Sequence, residues 1–123
     1  MSINKIVELF LLKNPSLKQM FDTMKKKYYV ADDAGTYVVW GLGVMSCVLE
    51  LLQDPIHNKA LLQRIFDFFE EMATTEEEEV RELLMYSTLE TLDDDKEVLK
   101  IALSFMGNET KKLLYRVQAF LGE

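Results

Sequence analysis

Two side chains in this sequence are obvious candidates for nucleophilic chemistry. Cys47 and His57 are the single cysteine and the single histidine of the chain. A thiol beside an imidazole can act as a nucleophile with its general base. Cys47, however, lies between Met45 and Val48 in an apolar run, where a thiol is usually buried and inert. No third group that would orient the base is evident, so we expect the protein not to be an enzyme.

Metal and cofactor sites have equally weak signals. The sequence lacks HExxH and Cys/His ligand spacings, and His57 follows Pro55 in a predicted turn. Gly41 and Gly43 form only a GxG inside an apolar run, without the wider pattern of a phosphate-binding loop. The acidic residues are contiguous, whereas carboxylate-bound metals need ligands from well-spaced positions. We therefore expect no metal and no cofactor.

Carboxylates are the most concentrated functional groups of the chain. Residues 76–79 are four glutamates, and residues 93–95 are three aspartates. In the first turn of a helix each carboxylate stabilises the helix dipole by roughly 0.3–1 kcal/mol. Like charges so close also repel, so helix stability alone does not require all of them, and a contact surface for a basic partner is the second interpretation. The predicted acidic edge comprises Glu70, Glu71, Glu76, Glu77, Glu79, Asp93, Asp94 and Asp95.

An irregular segment is the second candidate for partner contact. Residues 28–37 read YYVADDAGTY, with turn signals at Asp32, Asp33 and Gly35. Binding residues concentrate in such segments, although simple packing explains these side chains equally well. The predicted contact residues here are Tyr28, Tyr29, Asp32 and Asp33. Four further aromatic residues have polar tips suited to an interface rim, namely Tyr37, Trp40, Tyr86 and Tyr115.

Amphipathic helices must position these groups, because apolar residues recur at helical spacing along the chain. The pattern TYVVWGLGVMSCVLELLQ is ambiguous, since its β-branched start could form a buried strand; its length favours a helix over residues 36–52. Gly41 and Gly43 would allow close approach of a neighbour. The predicted start signals are Ser16 for the second helix, Thr75 with Glu78 for the fifth, Asp94 with Glu97 for the sixth, and Gly107 with Asn108 for the seventh.

The predicted fold is all-α, with six or seven antiparallel helices in a single domain of residues 1–123. Connections of two to six residues favour antiparallel neighbours. Two architectures fit this pattern: a short HEAT-like stack of helix pairs, and a compact bundle.

Composition excludes several classes of function. The formal net charge is −7, the opposite of what a nucleic-acid binder or a protein of anionic membrane surfaces needs. The hydrophobic fraction of 49% contains no run long enough to span a membrane. A lone cysteine and the lack of a secretory signal predict a cytoplasmic protein. An acidic surface attracts basic partners instead.

The second half of the chain resembles a family of small helical bacterial immunity proteins from polymorphic and contact-dependent toxin systems. The matching phrases are EEVRELLMYSTLETL, an acidic linker, and MGNETKKLLYRVQAFL, at residues 78–92 and 106–121. The preceding LLQRIFDFFEEMAT also matches, so the resemblance is strongest over residues 60–122. Asn108 stands where the family pattern has proline.

This resemblance implies a protein that binds a cognate toxin domain one to one and occludes it. Many such toxins are nucleases with basic clefts, which an acidic helical protein is suited to block. The alternative hypothesis is a non-enzymatic adaptor that binds a peptide or helix in an apolar groove.

Overall fold

A computed structural model of the protein describes residues 1–122, and no strand occurs among them. The all-α prediction is confirmed, and residues 1–122 form seven helices. Helix α1 joins the 3₁₀ turn Ile3–Lys5 to Ile6–Lys13, and α2 joins the turn Pro15–Leu17 to Lys18–Lys27. Helix α3 covers residues 36–52, α4 is Lys59–Thr74, α5 covers residues 78–93, α6 is Lys96–Leu103 and α7 is Asn108–Phe120.

The ambiguous run at residues 36–52 is helical throughout, as its length predicted. Its centre, however, is a π-helix at Trp40–Val44, between α-helical turns at Thr36–Val39 and Met45–Leu52. Helix α5 is interrupted in the same way by the π-helical stretch Leu84–Leu89. Such wide turns are rare and occur often at functional sites.

Three of the predicted helix starts were wrong by one or two residues. The second helix is preceded by Asn14 rather than capped by Ser16, which lies inside the 3₁₀ turn. In the fifth, Thr75 ends α4 in extended conformation and Glu77 precedes α5, so no capping box forms with Glu78. The Arg81 guanidinium donates to the Thr75 carbonyl, which satisfies the free end of α4 instead.

The sixth helix starts one residue later than predicted, after Asp95 rather than Asp94. The carboxylate Oδ1 of Asp95 accepts hydrogen bonds from the amides of Glu97 at 3.1 Å and Val98 at 3.3 Å. Asp94 still has helical torsion angles at the end of α5, so its side chain is not in a capping position.

Buried side chains form one cluster that runs from Ile6 to Val117. At its centre the ring of Phe10 contacts Trp40 and Phe68 edge to face, each with ring centroids 5.4 Å apart. Such aromatic pairs contribute about 0.5–1.5 kcal/mol each beyond the area they bury. The core therefore ties the first helix to the middle of the chain.

Helices distant in sequence pack on each other. Helix α4 packs against α7, α3 packs against α6, and the π-helical stretch of α5 packs against α7. In a helical stack each repeat contacts only its neighbours. Of the two predicted architectures, the compact bundle is therefore the one observed.

Gly43 allows the close helix approach that its sequence context predicted. A β-carbon at residue 43 would lie 2.7 Å from Cε1 of Phe21, closer than carbon atoms can pack. Helix α2 therefore lies directly on the π-helical stretch of α3, with Phe21 over the glycine. A β-carbon at residue 41 would lie 3.7 Å from Oγ of Ser87, which is an ordinary van der Waals contact.

Candidate partner-binding surface

The two π-helical stretches pack against each other, and a buried polar network joins them. The indole Nε1 of Trp40 donates to Oγ1 of Thr88 at 2.8 Å, and the Thr88 hydroxyl donates to Sδ of Met45 at 3.2 Å. All three residues are fully buried. A satisfied polar network in an apolar interior fixes one arrangement of its elements. The junction of α3 and α5 is therefore a rigid platform.

Each π-helical stretch exposes a single side chain, and both of these side chains are hydrophobic. Leu42 is exposed in Trp40–Val44, and Tyr86 is exposed in Leu84–Leu89, while their neighbours are buried or half-buried. Tyr37 and Val38, one turn earlier on α3, are each 47% exposed. Large hydrophobic side chains that stand in solvent on a rigid base are typical of partner-binding surfaces.

Two glutamates of α5 act electrostatically on one of these rings, that of Tyr37. Glu79, Glu82 and Tyr86 recur at three- and four-residue spacing along α5, and all three interact electrostatically with Tyr37 of α3. We name this surface the tyrosine–glutamate face; it consists of Tyr37, Val38, Leu42, Glu79, Glu82 and Tyr86.

The negative electrostatic potential of the face is reflected in the pKa of the Tyr37 phenol. Partial burial raises the pKa of Tyr37, and the negative potential of Glu82, Tyr86 and Glu79 raises it further. The surroundings of Tyr37 therefore disfavour its negatively charged phenolate form. The same negative potential favours a cationic group of a partner.

Part of the predicted acidic edge adjoins this face. Glu76, Glu77 and Glu79 are all exposed at the start of α5. Glu71 is exposed at the end of α4, where its carboxylate lies 3.9 Å from the Lys13 ammonium. Glu76 and Glu77, which directly precede α5, therefore add exposed negative charge near Glu79 of the tyrosine–glutamate face.

Glu70, in contrast, is used inside the fold. Its Oε1 accepts from the amide and the hydroxyl of Thr110 at 2.8 and 2.7 Å, and its Oε2 accepts from the Glu109 amide at 3.0 Å. Burial raises the pKa of Glu70, but these hydrogen bonds, with the charge of Lys112, lower it below its ordinary value. This carboxylate from α4 is the N-terminal cap of α7, which the sequence did not predict.

The second acidic group is divided between the interior and the surface. Asp93 is 4% exposed, and its Oδ1 lies 3.0 Å from the Lys96 ammonium and accepts from Gln118 at 2.9 Å. Its predicted place on an exposed edge was therefore wrong, because α7 covers it. Asp94 is exposed, and Asp95 is exposed but engaged in capping α6.

The segment after α2 presents Tyr28, Tyr29, Asp32 and Asp33 to solvent. Tyr29 is 94% exposed and has φ 55°, a left-handed conformation that favours glycine. The Tyr29 amide donates to the Lys26 carbonyl at 3.2 Å and the Val30 amide to the Lys25 carbonyl at 2.9 Å, which closes the helix end. A strained and exposed tyrosine is consistent with partner contact, which stays a prediction for these four residues.

The residues considered for catalysis lie in different environments. Cys47 is 1% exposed, and burial raises the pKa of its thiol to about 11, so the nucleophilic thiolate is scarce at neutral pH. His57 is exposed in the turn after α3, where its Nδ1 lies 2.8 Å from Oδ2 of Asp54. Among residues 1–122, no group of three or more histidine, cysteine or acidic side chains is arranged to hold a metal ion.

Sequence reasoning missed Glu82 and Leu42 and did not connect Tyr37 with Tyr86. The signal on α5 was available, since Glu79, Glu82 and Tyr86 share helical spacing. No signal in the sequence indicated that Tyr37 and Leu42 of α3 join these residues, because their position depends on how the two π-helical stretches pack. Trp40, which was considered for an interface rim, is completely buried.

Comparison with known proteins gave one finding. A family model described as a domain of unknown function, DUF7674, matches residues 7–122. Neither the curated proteins nor the solved structures gave a match. None of the helices in the described part of the chain has the length and apolar character needed to cross a membrane.

Proposed function

The chain belongs to the DUF7674 family, and for this member we propose a role as an immunity protein that binds a cognate bacterial toxin domain and occludes it. The proposed toxin domain is a nuclease with a basic cleft. Binding takes place in the cytoplasm, with one immunity protein for each toxin domain, and involves no chemical conversion of the partner.

The observation that carries this proposal is the tyrosine–glutamate face. It combines exposed hydrophobic side chains at Tyr37, Leu42 and Tyr86 with carboxylates at Glu79 and Glu82. Tyrosines are common among the residues that contribute most to binding, because they bury a large area and still donate a hydrogen bond. Carboxylates beside them match the lysine and arginine side chains of a nucleic-acid-binding cleft.

Charge over the whole molecule supports the same partner. The net charge of −7 gives an attractive potential toward a basic protein at long range. Such steering raises the association rate and falls as salt screens it, over a Debye length of about 8 Å at physiological ionic strength. The buried Trp40–Thr88 hydrogen bond holds the face in one conformation, which lowers the entropy lost on binding.

The first experiment is co-purification of this protein with the product of the neighbouring gene, followed by calorimetry. An antidote of this type commonly binds with a nanomolar Kd, about −12 kcal/mol. The proposal also predicts that adding the immunity protein abolishes the activity of that toxin. A neighbouring product that neither binds nor loses activity contradicts the proposal.

A matched pair of charge reversals tests the face itself. Glu79→Lys on the face is expected to weaken binding by about tenfold or more, because it replaces an attraction by a repulsion. Glu50→Lys makes the same charge change at an exposed site near the other end of α3, and its Kd is expected to stay within about twofold. Equal effects of the two variants would show that net charge, rather than this face, determines binding.

An apolar groove beside Ile56 supports a second candidate function, that of an adaptor which binds a peptide or helix. The groove has a volume of about 600 Å³, and Ile56 at its edge is 84% exposed. An amphipathic helix or peptide could place apolar side chains there. The lining residues are Pro55, Ile56, Lys59, Gln63, Ile101, Ser104 and Phe105.

Salt dependence and one substitution separate the two functions. Binding through the tyrosine–glutamate face weakens as ionic strength rises, whereas binding through the apolar groove changes little with salt. Ile56→Gln is expected to leave toxin binding unchanged. A partner whose affinity falls with Ile56→Gln and not with Glu79→Lys would establish the adaptor function instead.

A further inference from the structure

Helix α1 carries an exposed leucine that the core does not use. Ile6 and Phe10 face the interior, whereas Leu12 is 75% exposed. Leu12 forms the edge of a shallow, predominantly apolar groove of about 430 Å³, together with Leu11 and the following Pro15. This surface lies on α1 and the start of α2, elements that contribute no residue to the tyrosine–glutamate face.

Two opposite charges complete the lining of this groove. Glu8 precedes the apolar residues on α1 and Lys18 follows them at the start of α2. Each has a solvent-exposed neighbour of opposite charge: Lys5 Nζ lies 3.6 Å from Glu8, and Asp22 lies 2.6 Å from Lys18 Nζ. Exposed pairs of this kind contribute little to stability and exchange readily with other partners. Both charges are therefore accessible to a docking protein.

We propose that this surface, the Leu12 patch of Glu8, Leu11, Leu12, Pro15 and Lys18, binds a second copy of this chain in a symmetric dimer. In a two-fold interface each surface must complement itself. The patch meets that requirement, because it offers both a protruding side chain and a groove between two opposite charges. Leu12 of one copy enters the groove beside Pro15 of the second copy, and vice versa.

The charges determine the orientation of the two copies. When α1 of one copy runs antiparallel to α1 of the other, Glu8 lies opposite Lys18 of the second copy, and the two-fold axis generates a second identical pair. The reverse orientation would place like charges opposite each other, which is repulsive. The two Glu8–Lys18 pairs therefore favour a second copy of this chain over an unrelated partner whose apolar surface lacks these charges.

The dimer is expected to be weak, because the patch is small compared with the interfaces of permanent dimers. We expect a Kd on the order of 10–100 μM, because the favourable free energy of burying so small a surface only slightly exceeds the entropy lost when two molecules associate. Sedimentation equilibrium from about 1 to 500 μM tests this directly. The average mass should rise with concentration from 14.3 kDa toward twice that value. A mass that stays at the monomer value throughout overturns the proposal.

Four variants identify the interface. Leu12→Gln should shift the Kd upward by about tenfold or more, and Glu8→Lys should do the same by placing two lysines opposite each other. The double variant Glu8→Lys/Lys18→Glu exchanges the two charges and should restore the Kd to within about threefold. Ile56→Gln removes a similarly exposed apolar side chain elsewhere and should leave the dimer Kd unchanged.

Circular dichroism of each variant verifies that the helices form, and these solvent-exposed substitutions should leave the helical signal unchanged. Dimerisation that is indifferent to Leu12→Gln, or equally sensitive to Ile56→Gln, excludes the Leu12 patch as the interface. A double variant that remains as weak as Glu8→Lys excludes the antiparallel pairing of Glu8 with Lys18.

Discussion

Helices α6 and α7 are both capped by a carboxylate, but the two carboxylates come from different parts of the chain. Helix α6 is capped by the residue directly before it, Asp95, which accepts from two amides of its own first turn. Helix α7 begins after Gly107, and its first-turn amides donate to Glu70, which lies on α4, about forty residues away. One start is therefore satisfied locally, and the other depends on tertiary structure.

This difference shows that a carboxylate in an acidic cluster can serve three distinct purposes. Asp95 completes a helix next to it in sequence, Glu70 joins two helices that are distant in sequence, and Glu79 remains in solvent beside the rings of the tyrosine–glutamate face. Only the third type is available to a partner. Sequence alone placed all three in one predicted edge, because composition does not reveal which carboxylates the fold itself uses.

The largest expected effect is at the contact between α4 and α7. A β-carbon at residue 107 would lie 2.5 Å from Oε1 of Glu70, so Gly107→Ala must displace that carboxylate. Losing its charge-assisted hydrogen bonds is expected to lower the free energy of unfolding by about 2 kcal/mol. Urea denaturation of the wild type and the variant measures this difference.

A double-mutant cycle isolates the cause. Glu70→Ala alone should cost about as much as Gly107→Ala, because both remove the cap. Once Glu70 is absent, an alanine at 107 has no carboxylate to displace, and the double variant should be no less stable than Glu70→Ala. Additive losses would show that Gly107 matters for another reason.

The local cap should have a smaller effect. Asp95→Ala leaves two first-turn amides of α6 without a side-chain acceptor and is expected to cost about 1 kcal/mol. Asp94→Ala is the matched control, since its carboxylate does not cap α6, and its cost should be below about 0.5 kcal/mol. A larger loss for Asp94→Ala than for Asp95→Ala would mean that the helix starts one residue earlier, as the sequence pattern predicted.

Low pH should weaken the stabilisation that the Glu70 carboxylate gives to the start of α7, whereas pH changes near neutrality should not affect it. The pKa of Glu70 is lowered in the folded protein from its ordinary value of 4.5, since hydrogen bonds from Thr110 and Glu109 outweigh burial. Its stabilising contribution is therefore complete above pH 4.5 and is lost as pH falls through the lower folded pKa. We expect the stability gap between wild type and Glu70→Gln to narrow below pH 4.5. A gap independent of pH would show that the charge of Glu70 does not stabilise α7.

Local patterns in the sequence were sufficient to predict where the helices lie. Apolar spacing predicted all seven, including residues 36–52, and acidic residues marked the start of α6 to within one position. These features depend on neighbours within one or two turns. The π-helical turns at Trp40–Val44 and Leu84–Leu89 were not predicted, because their insertion depends on contacts between α3 and α5.

The candidate surface was predicted only in part, for the same reason. Glu76, Glu77 and Glu79 were identified from composition and are exposed as expected. Glu82 was not identified, and Tyr37 was considered only for an interface rim, because it is the packing of α3 on α5 that brings the phenol of Tyr37 under the electrostatic influence of Glu82 and Glu79. Asp93 looked equivalent to its neighbours in sequence, yet α7 covers it.

The hydrogen bond from Trp40 to Thr88 gives the molecule a built-in optical probe. The chain has one tryptophan, and that indole is fully buried at the junction of α3 and α5, whose π-helical stretches carry Leu42 and Tyr86 of the tyrosine–glutamate face. Its fluorescence therefore reports on a single place, without labelling. Burial should give this tryptophan a blue-shifted emission maximum. A shift of that maximum on partner binding would show that the packing of α3 on α5 changes, and a constant maximum would show that it does not.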